Sequence, residues 1–362
     1  MSRKLGKQEL MEILSGATYL GSGGGGSLYL GERILNNLEK QGPVELVLYD
    51  VAEMETGAYG AMAACLGSPK SITAPDVDFT DTVSAFKGLQ ADLKRDGKDL
   101  KYVYSGEYGG LNTCVALYIS IVTGIPLIDL DSNVRAVPEL NTGLTPIYGF
   151  PPYPVVLANE AGDVCVVRTA DPNDSSGAEL IARQLCMAYG MKIGFSTWAI
   201  SKEDIQKYLV PGTLTRAQKV GKAIHTAKAA GIDPVAEISK EIELREICRG
   251  KVEKVDLTSK DGFDFGITTI AAEDGKYQAH FKNENMAVYG PDGKVVITVP
   301  ETVAMIDLEK GEPLTNADVE EGMTISFAAI PAQEPWWRIP EGFTCWIGIL
   351  ERMGVEAKPV RF

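Results

Sequence analysis

Tyr102-Val-Tyr-Ser-Gly-Glu-Tyr-Gly-Gly110 is a short strand that breaks into a glycine turn. Asn112 to Val122 then reads as an apolar helix closed by Gly124 and Pro126, and Leu127-Ile-Asp-Leu-Asp131 is a second strand with acids at its end. Strand, glycine turn, helix and strand in that order predict an α/β layer with a mainly parallel sheet. Working towards the N-terminus, the pattern repeats. Gly21-Ser-Gly-Gly-Gly-Gly26 opens a run with helical spacing (Leu28, Gly31, Ile34, Leu35, Leu38), and Val44 to Asp50 reads as a buried strand. A further helix is expected over 81–95, and the small-residue stretch Gly57 to Gly67, ending at Ser68-Pro69, reads as a loop. In such sheets ligands collect at the carboxyl ends of the strands. The glycine loop, Asp50, Glu107, Asp129 and Asp131 are all expected there.

Towards the C-terminus the pattern changes. Val155-Val-Leu157 and Val164 to Val167 read as a hairpin, Ala178 to Tyr189 as a helix, and 214–230 and 234–248 as two more helices. From about residue 251 strands alternate with Asp-Gly turns at Asp261-Gly262, Asp274-Gly275 and Asp292-Gly293. The expected organisation is an N-terminal α/β domain over 1–168 and a C-terminal β-rich domain with a helical insertion over 169–362.

A chain of 362 residues exceeds one ordinary core, which fits two domains. Acids outnumber bases 49 to 35, and the resulting charge of −14 argues against nucleic acid as a partner. No run of about 18 apolar residues exists, so no membrane span is expected. The first residues lack the apolar segment of a signal peptide, so a cytoplasmic location is expected. Six scattered cysteines without CxxC spacing read as reduced, buried small residues. His225 and His280 are the only histidines, too few for a His₃ zinc site. No cofactor is expected, with a metal held by carboxylates or Cys left open.

Three constellations carry chemistry. Glycine permits φ > 0 and close backbone approach, and a glycine turn entering a helix leaves N–H groups free for an anion or polar ring. Gly21-x-Gly23-x-x-Gly26 with Asp50 24 residues on also satisfies the dinucleotide fingerprint literally, which keeps an NAD-dependent dehydrogenase open. Asp129 and Asp131 fall on one face of a strand, and two carboxylates sharing a site push one pKa upward. Arg135 is placed to neutralise them or to clamp a substrate carboxylate. Asn283 and Glu284 either reach across to the cleft or cap a turn.

Gly21-Ser-Gly-Gly-Gly-Gly26, Gly106-Glu-Tyr-Gly-Gly-Leu-Asn112, Asp129-x-Asp-x-x-x-Arg-Ala-x-Pro-Glu139 and Phe281-x-Asn-Glu284 together resemble the S-methyl thiohydantoin desulfurase family. The resemblance runs from the glycine loop to Pro340-Glu-Gly-Phe343. It implies hydrolysis of the C–S bond of an S-methyl thiohydantoin, as in S-methyl ergothioneine breakdown, giving a hydantoin and methanethiol. The expected partner is a small ring substrate with a carboxylate tail, and the chain is expected to form a homo-oligomer. Residue type, rather than the resemblance, suggests Asp131 as base, with Asp129 or Glu107 setting its pKa. Gly23, Gly24, Gly25, Gly26, Ser27, Asp50, Gly109, Gly110, Asn112, Arg135, Glu139, Asn283 and Glu284 form the expected substrate-binding set, with Arg135 on the tail. A covalent route through Cys65 or Cys114, a cyclic-amide hydrolase with no sulfur in its substrate, and a non-catalytic binding module stay open as alternatives.

Overall fold

A computed structural model describes residues 1–67, 78–260 and 263–362. Ser68-Pro69 and the Asp261-Gly262 turn lie outside the described residues. Two eight-stranded sheets organise the chain. The first contains β1 (Arg3–Gly6), β2 (Glu45–Tyr49), β3 (Tyr59–Gly67), β4 (Leu100–Ser105), β5 (Leu127–Asp131), β6 (Val155–Ala158), β7 (Val164–Val167) and β8 (Lys192–Ser201). They lie in the order β1-β2-β5-β4-β3-β8-β6-β7. Its centre, β2-β5-β4-β3, is parallel, and antiparallel strands extend both sides. The mostly parallel sheet is therefore present, and Ser105 and Asp131 stand side by side at its carboxyl edge.

The longer helices are α1 (Lys7–Leu20), α2 (Leu28–Glu39), α3 (Thr80–Arg95), α4 (Gly110–Thr123), α5 (Ser175–Ala188) and α6 (Thr213–Ala230). Leu111, Val115, Leu117 and Ile119 of α4 are all buried, and Gly124 ends the helix in the left-handed region at φ 73°. β5 is buried along its whole length, as expected for the middle of such a sheet.

Several segments depart from the sequence reading. The stretch expected as a small-residue loop is β3, a central strand paired with both β4 and β8. Gly60, Ala61 and Ala63 are small because the strand is packed on both faces; pairing on two edges overrides their weak strand propensity. β8, not anticipated at all, returns from beyond residue 168 to complete the first sheet. Likewise α6 docks on α1, where a Cβ on Gly221 would lie 1.7 Å from the Glu12 carbonyl oxygen. The helix expected over 234–248 stops at Ile238, because Arg245 already begins a strand paired with Ala329.

The second sheet contains β9 (Arg245–Lys260), β10 (Phe263–Ala272), β11 (Gly275–Lys282), β12 (Glu284–Tyr289), β13 (Val295–Thr298), β14 (Thr302–Asp307), β15 (Glu312–Pro313) and β16 (Thr324–Ile330). All its pairings are antiparallel, in the order β13-β12-β11-β10-β9-β16-β14-β15. Alternate residues separate its two faces. Val303, Met305, Phe327 and Ala329 join Val252 and Ile270 in a core of their own. Ala304, Ile306, Ala328 and Ile330, with Met286 and Ala287, join the core of the first sheet. The two sheets therefore share a continuous apolar seam, and β12 and β14 bring polar residues to its edge.

Candidate active site

Helix α1 runs straight into the glycine loop: the Gly21 N–H donates to Thr18 O at 3.2 Å. Ala17 to Leu20, the residues just before the loop, form the last turn of this helix. The strand–turn–helix unit that a dinucleotide fingerprint requires is thus absent, and the Gly21-x-Gly23-x-x-Gly26 match is one of sequence alone. Ser22, Gly23, Gly25 and Gly26 all have positive φ (56°, 85°, 73° and 83°). The loop stitches the two halves together. On one side Gly25 O and Gly26 O accept the N–H groups of Asn112 (3.1 Å) and Gly110 (3.0 Å) at the start of α4. On the other, Ser22 O accepts Asn285 N (2.7 Å), Gly23 O accepts Asn316 N (2.8 Å) and Ser22 Oγ accepts Val303 N (3.1 Å).

Two positions demand glycine for space. A Cβ on Gly24 would lie 1.9 Å from Glu284 Oε1, and one on Gly25 would lie 2.0 Å from Tyr108 O. The loop is built to let Glu284 lie against bare backbone. Among the described residues the amides of Gly25, Gly26 and Ser27 find no acceptor. Gly26 and Ser27 are only partly buried, which leaves the loop's α2 end accessible.

Glu284 is 2% exposed, and its Oε2 has no partner. Asn112 Oδ1, Asn285 Oδ1 and Asn316 Oδ1, all on residues bonded to this loop, are likewise buried and unpartnered. An isolated buried polar atom costs about 1–3 kcal/mol, so four along one loop call for an explanation. Glu107 lies alongside, receiving the Asn112 side-chain amide at 2.5 Å and Val137 N at 2.8 Å. Burial pushes its carboxyl up to about 7, against the lowering effect of those two bonds. Burial, and then the neighbouring Glu107 charge, hold Glu284 well above the usual carboxylate range, with Arg135 opposing. The two acids thus form an interacting pair at the seam.

The other expected site residues are placed as follows. Asp131 is fully buried, and its carboxylate accepts Ser105 Oγ (2.8 Å), Asn133 N (3.1 Å) and Val134 N (2.7 Å). It fixes the strand-end turn, in which Val134 takes φ 58°, and both of its oxygens are bonded within the chain. Asp129 receives both the N–H and the hydroxyl of Thr215, anchoring the first turn of α6. The two acids therefore do not act as a pair. Asp50 caps the turn at Val51–Glu53 through Ala52 N (2.9 Å) and sits near the Met1 amine (3.4 Å), outside the loop's contacts. Arg135 is 1% exposed and donates to the carbonyls of Ala136, Pro300, Glu301 and Asn285 while lying over Trp346 at 4.8 Å. It is a buried tie between the halves, not a carboxylate clamp, and its charge still reaches Glu284 and Glu107.

Gly109 and Gly110 pack against Gly25 and Leu28, as their close approaches require. Glu139 binds Lys282 and Arg352. Asn283, at φ 54°, uses its side chain to receive Asp264 N, so it holds the β11–β12 turn. Cys114 lies in the α2–α4 contact, with Sγ 3.5 Å from Gly31 O, and Cys65 lies in β3. Burial raises both thiols above their usual range, the opposite of what a thiolate nucleophile needs. His225 pairs with Ser15 Oγ at 2.8 Å and His280 packs on Tyr289.

Sequence reasoning missed Asn285 and Asn316. Asn285 directly follows Asn283-Glu284 and shares its polar run; Asn316 has no local signal. Two surface clefts, of about 320 and 260 Å³, lie elsewhere, beside Lys228 and Arg249 and beside Glu160 and Lys192. The unpartnered polar atoms are a better guide here than concavity, since neither cleft gathers acids with raised pKa. Among the described residues no group of three or more His, Cys, Asp or Glu is arranged to hold a metal ion, and no helix is long and apolar enough to cross a membrane.

Residues 8–169 match the family model described as S-Me-THD-like, N-terminal domain, and residues 172–350 match S-Me-THD-like, C-terminal domain. No curated protein matches the chain. A crystal structure of a protein from Chromobacterium violaceum is similar throughout, with a TM-score of 0.84 and 24% identity, covering 99% of this chain and 98% of that one. At that identity the likeness establishes the fold.

Proposed function

The chain belongs to the S-Me-THD-like family, and on that premise we propose that it hydrolyses an S-methylated thiohydantoin to a hydantoin and methanethiol. The observation that carries the reading is the set of four unpartnered buried oxygens, on Asn112, Glu284, Asn285 and Asn316, all residues that meet the glycine loop, with Glu107 pushed up to about 7 beside Asn112. A ring rich in N–H groups suits such a set, because it offers donors to acceptors that otherwise remain unpaired.

Chemistry at the ring carbon that bears sulfur needs one base and one acid. Glu107, about half ionised near pH 7, takes a proton from water as the new C–O bond forms. The C=N electron pair moves to the ring nitrogen, which receives a proton from Glu284, kept neutral by burial. Collapse of the tetrahedral carbon returns the hydroxyl proton to Glu284 and breaks the C–S bond. Glu107 protonates the departing methanethiolate, so both acids regain their starting forms and one water is consumed. The amides of Gly25 and Gly26 stabilise charge at the ring heteroatoms. Asp131 and Arg135, expected to take part directly, hold the surrounding backbone instead.

The test is release of methanethiol from a panel of S-methyl thiohydantoins, followed with a thiol reagent. Stoichiometric thiol with hydantoin formation is the expected result. Ring opening of a hydantoin with no thiol released would replace this reading with a cyclic-amide hydrolase.

A further inference from the structure

Each sheet has two outer strands, and three of the four are guarded. β1 carries Arg3 and Lys4, the latter paired with Glu45 at 2.7 Å. β13 is bordered by the C-terminal tail, where the Thr298 N–H donates to Val360 O at 3.1 Å. β15 is two residues long and ends in Pro313. Charge, cover and proline are the usual means of blunting an open edge. β7, Val164-Cys-Val-Val167, has none of them. It pairs with β6 alone, and among the described residues no other hydrogen bond reaches its backbone.

The turn before β7 sets the direction of its free groups. The Asn159 N–H donates to Asp163 O at 3.2 Å, so Asp163 faces β6. Bonded positions alternate along an antiparallel ladder, so Cys165 and Val167 bond β6, while Val164 and Val166 turn their N–H and C=O groups outward. The same two valines are 45% and 40% exposed. Opposite charges flank them: Asp163 is exposed, and Arg168, with its side chain 43% exposed, gives one N–H to Asp92 and keeps the rest of its fork.

These features fit a second copy of the same edge. An antiparallel neighbour brings Arg168 of each chain towards Asp163 of the other, whereas a parallel one sets like charge against like. With a two-fold axis at Cys165, Val164 exchanges both of its bonds with Val166 of the second copy, and Val166 does the same with Val164 of the second copy. The geometry points to β7 as a self-pairing edge, through which two copies of this chain join their first sheets into one. The two Cys165 residues then form a non-hydrogen-bonded pair with Cα atoms about 4.5 Å apart, within disulfide reach. Three strands separate β7 from β4, so this pairing leaves the proposed site untouched and does not depend on the ring hydrolysis.

Sedimentation of the wild-type protein at micromolar concentrations and above is expected to give twice the chain mass. Val166→Lys puts a charge on the outer edge while the bonds to β6 remain, and is expected to weaken self-association at least about tenfold. Diamide provides a second measurement that leaves the valines in place. It takes two electrons and two protons from the paired Cys165 thiols, becoming its hydrazine, and a disulfide-linked dimer is expected that Cys165→Ser abolishes. Should Val166→Lys fail to fold, this crosslink decides. A wild-type monomer, a dimer unaffected by Val166→Lys, or a crosslink that persists in Cys165→Ser overturns the proposal.

Discussion

Asp131 and Glu284 are both carboxyls that burial drives towards the neutral form, yet their surroundings differ. At the end of β5 three donors converge on Asp131, and the turn it holds is complete. At the seam Glu284 lies on bare glycine backbone with one oxygen unbonded, among amide oxygens in the same condition. A buried acid with all its bonds made is part of the framework. One left incomplete beside others marks where something else binds.

The largest effect expected from this contrast is on Glu107. Glu107→Gln removes the base while keeping the shape and the Asn112 contact, gives up the Val137 N–H bond, and should cut thiol release by about 10²–10⁴-fold while the protein stays folded. The complementary change is Asp131→Asn. It presents an amide to donors that need an acceptor, and should cost about 2–3 kcal/mol in denaturant melts while the folded fraction keeps its turnover. Lost turnover with an unaltered melt would make Asp131 the base and remove the distinction between the two regions.

Gly24→Ala should be milder. Gly24 is not among the positive-φ glycines, so the methyl's conflict is with the Glu284 carboxyl alone, and moving that group by about 1 Å should lower turnover by up to about a hundredfold. Normal activity in Gly24→Ala would show that Glu284 need not lie on the loop. The smallest effect is one of pH. Native Glu107 keeps its proton up to about pH 7, whereas an unperturbed glutamate releases it near 4.5. Between those values the folded chain binds more protons than the unfolded one, so this group makes stability fall as pH rises. Glu107→Gln should flatten that part of a melting profile, and wild-type kcat/KM should rise through about pH 7 as the base ionises.

The sequence revealed the elements whose periodicity is strong: α4 with its αL glycine, β5, and the hairpins of the second sheet. β3 was hidden because a strand covered on both faces by close neighbours can be made of Gly and Ala, residues that carry no strand pattern. Among the residues of the proposed site, Glu107, Asn112, Glu284 and the glycines were legible as polar or flexible residues in turns and at element ends. Their roles were not. Whether a carboxylate is fully bonded depends on partners far away in sequence: Ser105 reaches Asp131 across 26 positions, and Pro300 meets Arg135 across 165. Nothing local separates Arg135 as a tie from Arg135 as a clamp, and Asn316 lies 293 residues from Gly23, whose carbonyl it bonds.

The return of β8 and α6 to the first half has a consequence for how this chain can be cut. A fragment ending at 169 would expose the β8-facing edges of β3 and β6 and bare the α1 surface that α6 covers, with Gly16 and its neighbours left facing water. Open strand edges of that kind recruit one another, so the fragment is expected to precipitate on expression. Each half thus completes surfaces of the other, however cleanly their boundary shows in the sequence.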